Sequence, residues 1–360
     1  MFNPINYRRF TKLTVALLLS GCASNPTPDN SHYPNGIVNP QASVTTRPAT
    51  PVKPFGSYKP TPSYNAKDSY NNNYGDSYGS YGSYANSYEV KSFIRHMVEK
   101  HGFSESYLEG LFAQAQRLDS VIKLEGPSSS NSGPSRPGSW TRYRNKFLTD
   151  QHISNGVEFW RENANAINQA STAYGVDPEY IVGIIGVETY FGKNIGKTCV
   201  FDALTTLSFD TYRRAKYFQS ELEHFLLMAR EEGLNPRQPV GSWAGAMGLG
   251  QFMPSSFRKL AVDFDHNGRR DLWKPNDAIG SVAHYFSKSG WDYKSPVAVP
   301  ANGASGSSVI ELSTYEGNEY WQVYPNFKVI KRYNNSNKYA MAVHQLAQAI
   351  KSRYMMYSKL

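Results

Sequence analysis

A single glutamate, Glu188, occupies a position suited to acid–base chemistry. It follows Ile184 and Ile185 by four and three residues in a strongly apolar segment. Helical spacing therefore predicts that its carboxyl group lies on or beside the apolar face. Removal from water favours the neutral carboxyl group and raises its pKa, which a general acid for glycosidic bond cleavage needs near neutral pH. The alternative interpretation is a helix-end glutamate paired with a basic residue.

A second candidate region, residues 241–256, is rich in glycine and contains Ser242 and Gln251. Glycines permit close approach of the backbone to a ligand, and the amide of Gln251 both donates and accepts hydrogen bonds. Such a segment can line a groove for sugar hydroxyl and acetamido groups. A tight packing turn between helices is the alternative.

A third region has the spacing of a calcium loop. Oxygen-bearing side chains stand at positions 1, 3, 5 and 9 of the segment that begins at Asp263, and glycine stands at position 6, as in an EF-hand. Lys274 replaces the usual glutamate at position 12. A metal-free turn rich in Asp and Asn, or a single dockerin-like repeat, remains open as an alternative.

Five ordered segments together resemble the membrane-bound lytic murein transglycosylases of type B, glycoside hydrolase family 103. They read IIGVETYFGKNIGKT, DALTTLSFDTYRRAKYF, ELEHFLLMARE, GSWAGAMGLGQFMPSSF and NDAIGSVAHYFSKSGW, and the likeness covers residues 90–360. The resemblance implies a mainly α (α+β) fold. This fold has a lysozyme-like helical core, an additional helical region, an EF-hand-like loop and a small β insertion near the C-terminus.

The resemblance also implies the chemistry. Glu188 corresponds to the sole catalytic carboxylate, which protonates the oxygen between N-acetylmuramic acid and N-acetylglucosamine. The same residue then helps the muramoyl C6 hydroxyl attack C1, which gives a 1,6-anhydro end without water or a catalytic cofactor. An intramolecular hydroxyl has a very high effective concentration, so the second carboxylate of ordinary glycosidases is not required. The substrate's acetamido group would steady the cationic intermediate.

Further site residues follow from the same resemblance. Those matching groove positions, each equally open to a buried structural role, are Tyr143, Arg213, Ser242, Gln251, Tyr285, Tyr333 and Tyr339. In the family the calcium loop is longer and closes at position 15. The implied ligands of a structural Ca²⁺, which sodium could replace, are Asp263, Asp265, Asn267, the backbone carbonyl of Arg269, and Asp277; whether Asp271 also binds is left open.

Two other functions remain as alternatives. A true muramidase would hydrolyse the same bond with water, and it would need a second carboxylate near Glu188, for which Asp202 and Asp210 are candidates. A non-catalytic peptidoglycan-binding lipoprotein is the second alternative, and an intact motif around Glu188 argues against it.

The N-terminus predicts export and lipid anchoring. Arg8, Arg9 and Lys12 precede a short apolar stretch at residues 13–19 and a cysteine, Cys22. This order resembles a lipoprotein signal peptide over residues 1–21, with Cys22 as the lipidated residue. No aspartate follows Cys22, which points to the periplasmic face of the outer membrane of a Gram-negative bacterium. An ordinary secretory signal with a chance cysteine is the alternative.

Composition supports this envelope setting. The net charge of +9 and the 26 tyrosines suit peptidoglycan glycan strands as a partner, and cell-wall synthesis or hydrolysis proteins are possible further partners. Nucleic acid is not expected, because no basic run or nucleic-acid motif is present. If Cys22 is acylated, Cys199 has no internal disulfide partner. We expect Cys199 to be a small buried filler rather than a thiol nucleophile.

The chemistry-bearing segments must be held by elements that begin after a long polar stretch. Residues 22–88, rich in Pro, Ser, Asn, Gly and Tyr, predict a disordered tether, and residues 89–360 predict the catalytic domain, with the EF-hand-like loop at 263–277. Periodicity predicts helices at 90–100, 105–118, 140–147, 156–174, 178–191, 213–232, 277–289 and 337–357. A β-rich stretch at 296–332 predicts strands at 297–299, 308–312, 320–324 and 327–332.

Overall fold

Helices dominate the computed structural model, which describes residues 84–126, 137–304 and 306–357. The thirteen α-helices of these ranges are α1 (Tyr88–His101), α2 (Glu105–Ala113), α3 (Asp119–Glu125), α4 (Ser139–Arg144), α5 (Asp150–Glu162), α6 (Ala164–Tyr174), α7 (Pro178–Thr189), α8 (Val200–Phe209), α9 (Ala215–Glu231), α10 (Pro254–Leu260), α11 (Pro275–Lys288), α12 (Pro325–Tyr333) and α13 (Asn337–Tyr357). The mainly helical class predicted from the sequence is confirmed.

Two small antiparallel sheets complete the described elements. Strand β1 (Thr198–Cys199) pairs with β2 (Val240–Gly241). Strands β3 (Ala298–Ala301), β4 (Val309–Thr314) and β5 (Gly317–Val323) form the other sheet in the order β3-β5-β4. The three-stranded sheet follows α11 in the chain, where the sequence placed its β insertion.

Helix α7 forms the centre of the core, with α5, α6, α11 and α13 packed around it. Pro178 opens the helix at a position where its missing N–H costs nothing, and its residues are buried from Glu179 to Val187. Gly186 is required for this packing, because an added Cβ would lie 2.7 Å from the Phe191 ring. A helix buried on all sides holds its last turn rigidly, and that turn carries Glu188.

Three predicted elements were wrong in detail. Residues 327–332 form part of helix α12 rather than a strand, since Pro325 starts a helix and Phe327 and Ile330 bury one helical face. Residues 156–174 form two helices, because the chain leaves helical geometry at Asn163. The helix predicted over residues 105–118 ends at Ala113, and the next helix, α3, starts at Asp119.

The described fold begins inside the segment predicted as a tether. Tyr84 starts a short 3₁₀ turn, and its hydroxyl donates to Asp210 and lies 3.4 Å from the Thr206 hydroxyl. Ser87 then caps α1 through the Val90 amide. Residues 84–88 therefore belong to the folded domain, because Tyr84 is fixed by contacts distant in sequence.

Several predictions lie outside the described residues. They are the signal peptide at 1–21, the lipidated Cys22, most of the tether, and most of the polar loop at 126–137. Within the described ranges, every helix is too short or too polar to cross a membrane.

Cys199 is half-buried in β1, and its thiol donates to the Arg237 carbonyl at 3.7 Å. The prediction of a small buried filler at this position is therefore met only in part.

Candidate active site

Glu188 lies in the last turn of α7, where its side chain is partly buried. The chain then reverses sharply, with Tyr190 and Phe191 in the left-handed region at φ 54° and 60°. Burial raises the pKa of Glu188 from 4.5 to about 7, although a hydrogen bond from Tyr339 acts to lower it. The carboxyl group is therefore partly protonated at neutral pH and can both give and accept a proton.

Tyr339 is the direct partner of this carboxyl group. It is fully buried in α13, and its hydroxyl donates to Glu188 Oε1 at 2.5 Å. Tyr143 and Tyr333 lie close enough for the charge of Glu188 to act on them. Burial, and then that charge, raises the pKa of Tyr143 to about 12 and those of Tyr333 and Tyr339 well above 10. All three hydroxyls therefore remain protonated donors at neutral pH.

The glycine-rich segment at residues 241–256 contacts these tyrosines through Tyr333. The Tyr333 hydroxyl donates to the Gly250 carbonyl at 2.5 Å, and the rings of Tyr333 and Tyr285 lie 4.6 Å apart between centroids. The Tyr285 hydroxyl donates to the Arg332 carbonyl at 2.8 Å, while Phe252 packs against both rings. Aromatic faces and polar edges of this kind suit the alternating apolar and hydroxylated surfaces of a sugar chain.

Ser242 and Gln251 shape the glycine-rich segment itself. Ser242 Oγ accepts hydrogen bonds from the amides of Ala244 and Ala246 at 3.3 and 3.0 Å. Gln251 adopts a positive φ of 51° and donates through Nε2 to the carbonyls of Ile195 and Gly248. Both residues hold the loop in shape whether or not they also contact substrate.

Thr189 ties the helix end to this segment, and the sequence analysis did not single it out. Its buried hydroxyl donates to the Leu249 carbonyl at 2.9 Å and accepts from the Gly192 amide at 3.0 Å. The signal in the sequence was a hydroxyl residue immediately after Glu188. The contact with Leu249 could not be read from the sequence, because the two residues are 60 positions apart.

The structure places the remaining acidic and basic candidates in salt bridges. Arg213 pairs with the buried Glu125, 3.2 Å from Oε1. Asp202 is buried and bound by Arg237 at 3.0 Å. Asp210 accepts from Tyr84 and pairs with Arg117 at 3.2 Å. The two aspartates considered for a muramidase are thus neutralised by arginines and occupied in holding the fold.

The calcium-like loop brings its carboxylates together. Ligand oxygens of Asp263, Asp265 and Asp277 lie within 4.8 Å of one another. Asp277 is fully buried and accepts from the amides of Phe264, Asp265 and Asp271, while Asn267 Oδ1 accepts from the Arg269 amide. Burial raises the pKa of Asp277 against these hydrogen bonds. Clustered oxygen donors of this kind fit a hard cation such as Ca²⁺.

Comparison with known proteins agrees with this geometry. The chain matches the family model described as "Transglycosylase SLT domain" over residues 85–309 and 302–348. It is 48% identical to the membrane-bound lytic murein transglycosylase B of Escherichia coli (strain K12) over 304 residues, which is 75% of this chain and 84% of the relative.

Solved structures give the same result. The E. coli lytic transglycosylase SLT35, solved with bulgecin A and with calcium, is 46% identical with a TM-score of 0.71, covering 76% of this chain and 96% of that one. SltB3 from Pseudomonas aeruginosa, solved with NAG-anhNAM-pentapeptide, is 26% identical with a TM-score of 0.63, covering 73% and 79%. The resemblance inferred from the five motifs is confirmed, and the chain belongs to the transglycosylase SLT domain family of lytic transglycosylases.

Proposed function

We propose that this protein cleaves the MurNAc-β-1,4-GlcNAc bond of peptidoglycan and leaves 1,6-anhydro-MurNAc ends during cell-wall turnover. The observation that carries the proposal is Glu188, whose pKa is about 7 and whose carboxyl group is held by Tyr339. The lytic transglycosylase names of its relatives and the peptidoglycan fragment bound to SltB3 support the substrate class.

In the first step, protonated Glu188 transfers its proton to the bridging oxygen as the bond to C1 breaks. The electrons of that bond stay with the departing N-acetylglucosamine hydroxyl, and positive charge develops at C1. The Glu188 carboxylate that forms is stabilised by the Tyr339 hydroxyl at 2.5 Å. The muramoyl acetamido oxygen can share the developing charge, as in substrate-assisted glycosidases.

In the second step, the C6 hydroxyl of the same sugar attacks C1, and its proton passes to Glu188. A C–O bond forms, the acid is regenerated, and no water is consumed. A single carboxyl group suffices because the nucleophile belongs to the substrate. The engagement of Asp202 and Asp210 by arginines argues against the hydrolytic alternative, which needs a second carboxylate to activate water.

The tyrosine cluster and the glycine-rich loop would form the glycan-binding groove. Within it, Tyr143, Tyr285 and Tyr333 would meet the sugar chain, while the fully buried Tyr339 would act through Glu188. Ser242 and Gln251 hold the glycine-rich loop, which Tyr333 contacts at Gly250. Arg213 is half-exposed beside Glu125. Its proposed contact with glycan would use the exposed part of the guanidinium group.

Calcium would bind the loop of residues 263–277 through Asp263, Asp265, Asn267, the Arg269 carbonyl and Asp277. The calcium complex of SLT35 and the clustered carboxylates support this ion, and sodium remains a possible substitute. When bound, it would neutralise the clustered negative charge and stabilise the loop.

We place the enzyme at the periplasmic face of the outer membrane, anchored through a lipid on Cys22. The order of charges, apolar residues and cysteine at the N-terminus and the membrane-bound name of the E. coli relative support this location. Residues 22–83 would then let the anchored domain reach the peptidoglycan layer.

Mass spectrometry of fragments released from purified peptidoglycan tests the function. We expect anhydro products, one water lighter than the products of hydrolysis, and Glu188→Gln should reduce their release by roughly 10³-fold. Glycan binding should persist in this variant, which separates loss of chemistry from loss of the groove. Hydrated products would identify a muramidase, and equal release by both proteins would remove Glu188 from the mechanism.

A further inference from the structure

A group of two histidines and one glutamate lies apart from the proposed groove, where α1 meets α9. Nε2 of His96 lies 3.1 Å from Glu223 Oε2, and Nε2 of His101 lies 2.7 Å from Glu223 Oε1. Lys100 Nζ also contacts Oε1, at 3.0 Å. We call His96, His101 and Glu223 the α1–α9 cluster. The transglycosylase mechanism makes no use of it.

The cluster has the donor set and spacing of a transition-metal site. One ligand atom from each of its three residues lies within 4.8 Å of the other two. The imidazole rings stand edge to face, 6.0 Å apart, and each directs its Nε2 at a different carboxylate oxygen. Two imidazole nitrogens and one carboxylate oxygen suit Zn²⁺, whereas Ca²⁺ and Mg²⁺ favour oxygen ligands.

A neighbouring contact holds the C-terminal end of α1 against α9. The His101 carbonyl accepts from Arg230 at 2.7 Å, and the Arg230 guanidinium lies 4.2 Å from the centroid of the Phe103 ring. The side chains of His101 and Glu223 are 18% and 19% exposed, so a cation could enter from solvent while two ligands stay fixed. Such prior ordering lowers the entropy lost when a metal binds.

The Glu223 carboxylate already attracts a cation. Lys100 Nζ lies 3.0 Å from its Oε1, beside Nε2 of His101 at 2.7 Å. Lys100 now supplies the opposing charge, but its side chain is 56% exposed and can turn to solvent when another cation arrives.

We propose that His96, His101 and Glu223 bind one Zn²⁺ ion, with water as the fourth ligand. The ion would link the C-terminal half of α1 to α9 and so fasten the first helix of the folded domain. This role is structural, since the site adjoins neither the proposed catalytic carboxyl group nor the calcium loop in sequence, and its ligands come from two helices that carry neither.

Isothermal titration calorimetry of the full-length protein with Zn²⁺ tests the proposal. Excess Ca²⁺ is present to occupy the calcium loop of residues 263–277. We expect one Zn²⁺ per chain at the α1–α9 cluster and a rise in melting temperature on Zn²⁺ addition. Removal of one ligand by His101→Gln should weaken binding by at least about 100-fold. His96→Gln is a second test of the same ligand set. Because His96 is 44% exposed, its replacement should leave folding intact.

Two matched variants sharpen the result. His224→Gln changes the neighbouring residue on α9, which contacts Arg258 and is not part of the cluster, so Zn²⁺ binding should be unchanged. Lys100→Gln removes the competing cation and should tighten binding. The proposal fails if the wild type binds no Zn²⁺, if the histidine variants bind it equally well, or if Lys100→Gln weakens it. Any of these results would make the cluster an ion-pair network only.

Discussion

At the scale of the residue, Glu188 combines two opposing influences on one carboxyl group. Burial favours the neutral acid, and the Tyr339 hydroxyl favours the anion. The result is a pKa of about 7, so in the proposed mechanism one group can serve near neutral pH first as the acid for the leaving oxygen and then as the base for the C6 hydroxyl. Either influence alone would leave the residue a weaker acid or a weaker base.

Tyr339→Phe tests how burial and the hydrogen bond together set the pKa of Glu188. Without the hydroxyl, the anion loses its donor and the pKa of Glu188 rises, so the loss of activity on the alkaline side should move to higher pH. We expect the maximal rate to fall roughly tenfold, because the carboxylate formed in the first step is less stabilised. The pH dependence of kcat/KM on soluble glycan fragments measures both effects.

Tyr333→Phe provides the comparison, since its hydroxyl binds the Gly250 carbonyl rather than Glu188. It should reduce substrate binding without a comparable displacement of the alkaline limb. An unchanged or acid-shifted limb in Tyr339→Phe would contradict the role given to Tyr339.

Ionisation of the buried Glu188 carboxyl group should lower the free energy of unfolding of the protein. Its pKa rises from 4.5 to about 7 on folding, so the cost of ionising it in place appears above pH 4.5 and is complete above pH 7. Glu188→Gln removes that cost and keeps an oxygen that can accept from Tyr339. We expect the free energy of unfolding at pH 8 to increase by about 2 kcal/mol, allowing for partial solvent screening.

Urea unfolding at pH 8 and at pH 4.5 measures this change. The stabilisation should be large at the higher pH and nearly vanish at the lower one, where the carboxyl group is protonated in the folded state. Stabilisation of equal size at both pH values would mean that packing, not charge, distinguishes the two side chains.

At the scale of the element, α7 and the glycine-rich segment form one unit through Thr189. The hydroxyl bridges the last turn of α7, the Leu249 carbonyl and the Gly192 amide. This fixes the distance between the acid and the loop that carries Gln251. Thr189→Val keeps the shape but leaves these polar groups unpaired, which should lower stability by about 1–3 kcal/mol.

The activity of Thr189→Val should fall more than its stability suggests, because a small displacement of the loop misaligns the sugar with Glu188. Single-turnover rates well below the melting temperature separate the two effects. Thr205→Val is the matched control, since Thr205 is a buried hydroxyl residue of α8 whose side chain has no hydrogen-bond partner. Similar loss of rate in both variants would remove the special role of Thr189.

Local sequence patterns predicted those helices that begin at a characteristic residue such as proline or have a long run of apolar residues at helical spacing. Pro178 and the run of apolar residues identified α7, and the long helix α13 was predicted with its observed bounds. The same rules mistook residues 327–332 for a strand, because the six residues Phe-Lys-Val-Ile-Lys-Arg fit either period when taken alone. Helix α8 was missed because it is buried on nearly all sides, which removes the polar face that periodicity detects.

The site was predicted in part for a similar reason. Glu188 and the oxygen-rich loop could be found from local spacing, whereas Tyr143, Tyr333 and Tyr339 were named only through family resemblance. Their convergence on one carboxyl group comes from tertiary packing between α4, α12, α13 and α7. No local pattern encodes contacts across such distances in sequence.

At the scale of the whole molecule, the proposed calcium loop is joined to the groove. The Leu249 amide donates to the Leu272 carbonyl at 2.8 Å, and Leu272 directly follows Asp271 of the acidic loop. Gly248 adopts a φ of +69°, and a Cβ there would lie 2.3 Å from the same Leu272 oxygen. The loop and the glycine-rich segment therefore cannot shift independently.

Calcium removal should consequently act on stability and substrate binding rather than on the acid itself. Without the cation, Asp263, Asp265 and Asp277 hold their charges within 4.8 Å of one another, and their repulsion loosens the loop. We expect EGTA to lower the melting temperature and to raise KM. The value of kcat should change little below that temperature, since Glu188 is carried by α7 rather than by the loop.

Asp265→Asn tests the electrostatic origin of this dependence, because it removes one charge from an exposed ligand and keeps an oxygen that can accept from the Asn267 amide. In EGTA the variant should melt higher than the wild type, since less charge is left unpaired; in saturating Ca²⁺ it should melt lower, since the cation has lost a carboxylate. Calorimetry under both conditions should therefore show the order of the two melting temperatures reversing. A variant less stable than the wild type under both conditions would indicate that the Asp265 carboxylate serves the loop through hydrogen bonds alone, and the coupling of calcium to the groove would then lack its driving force.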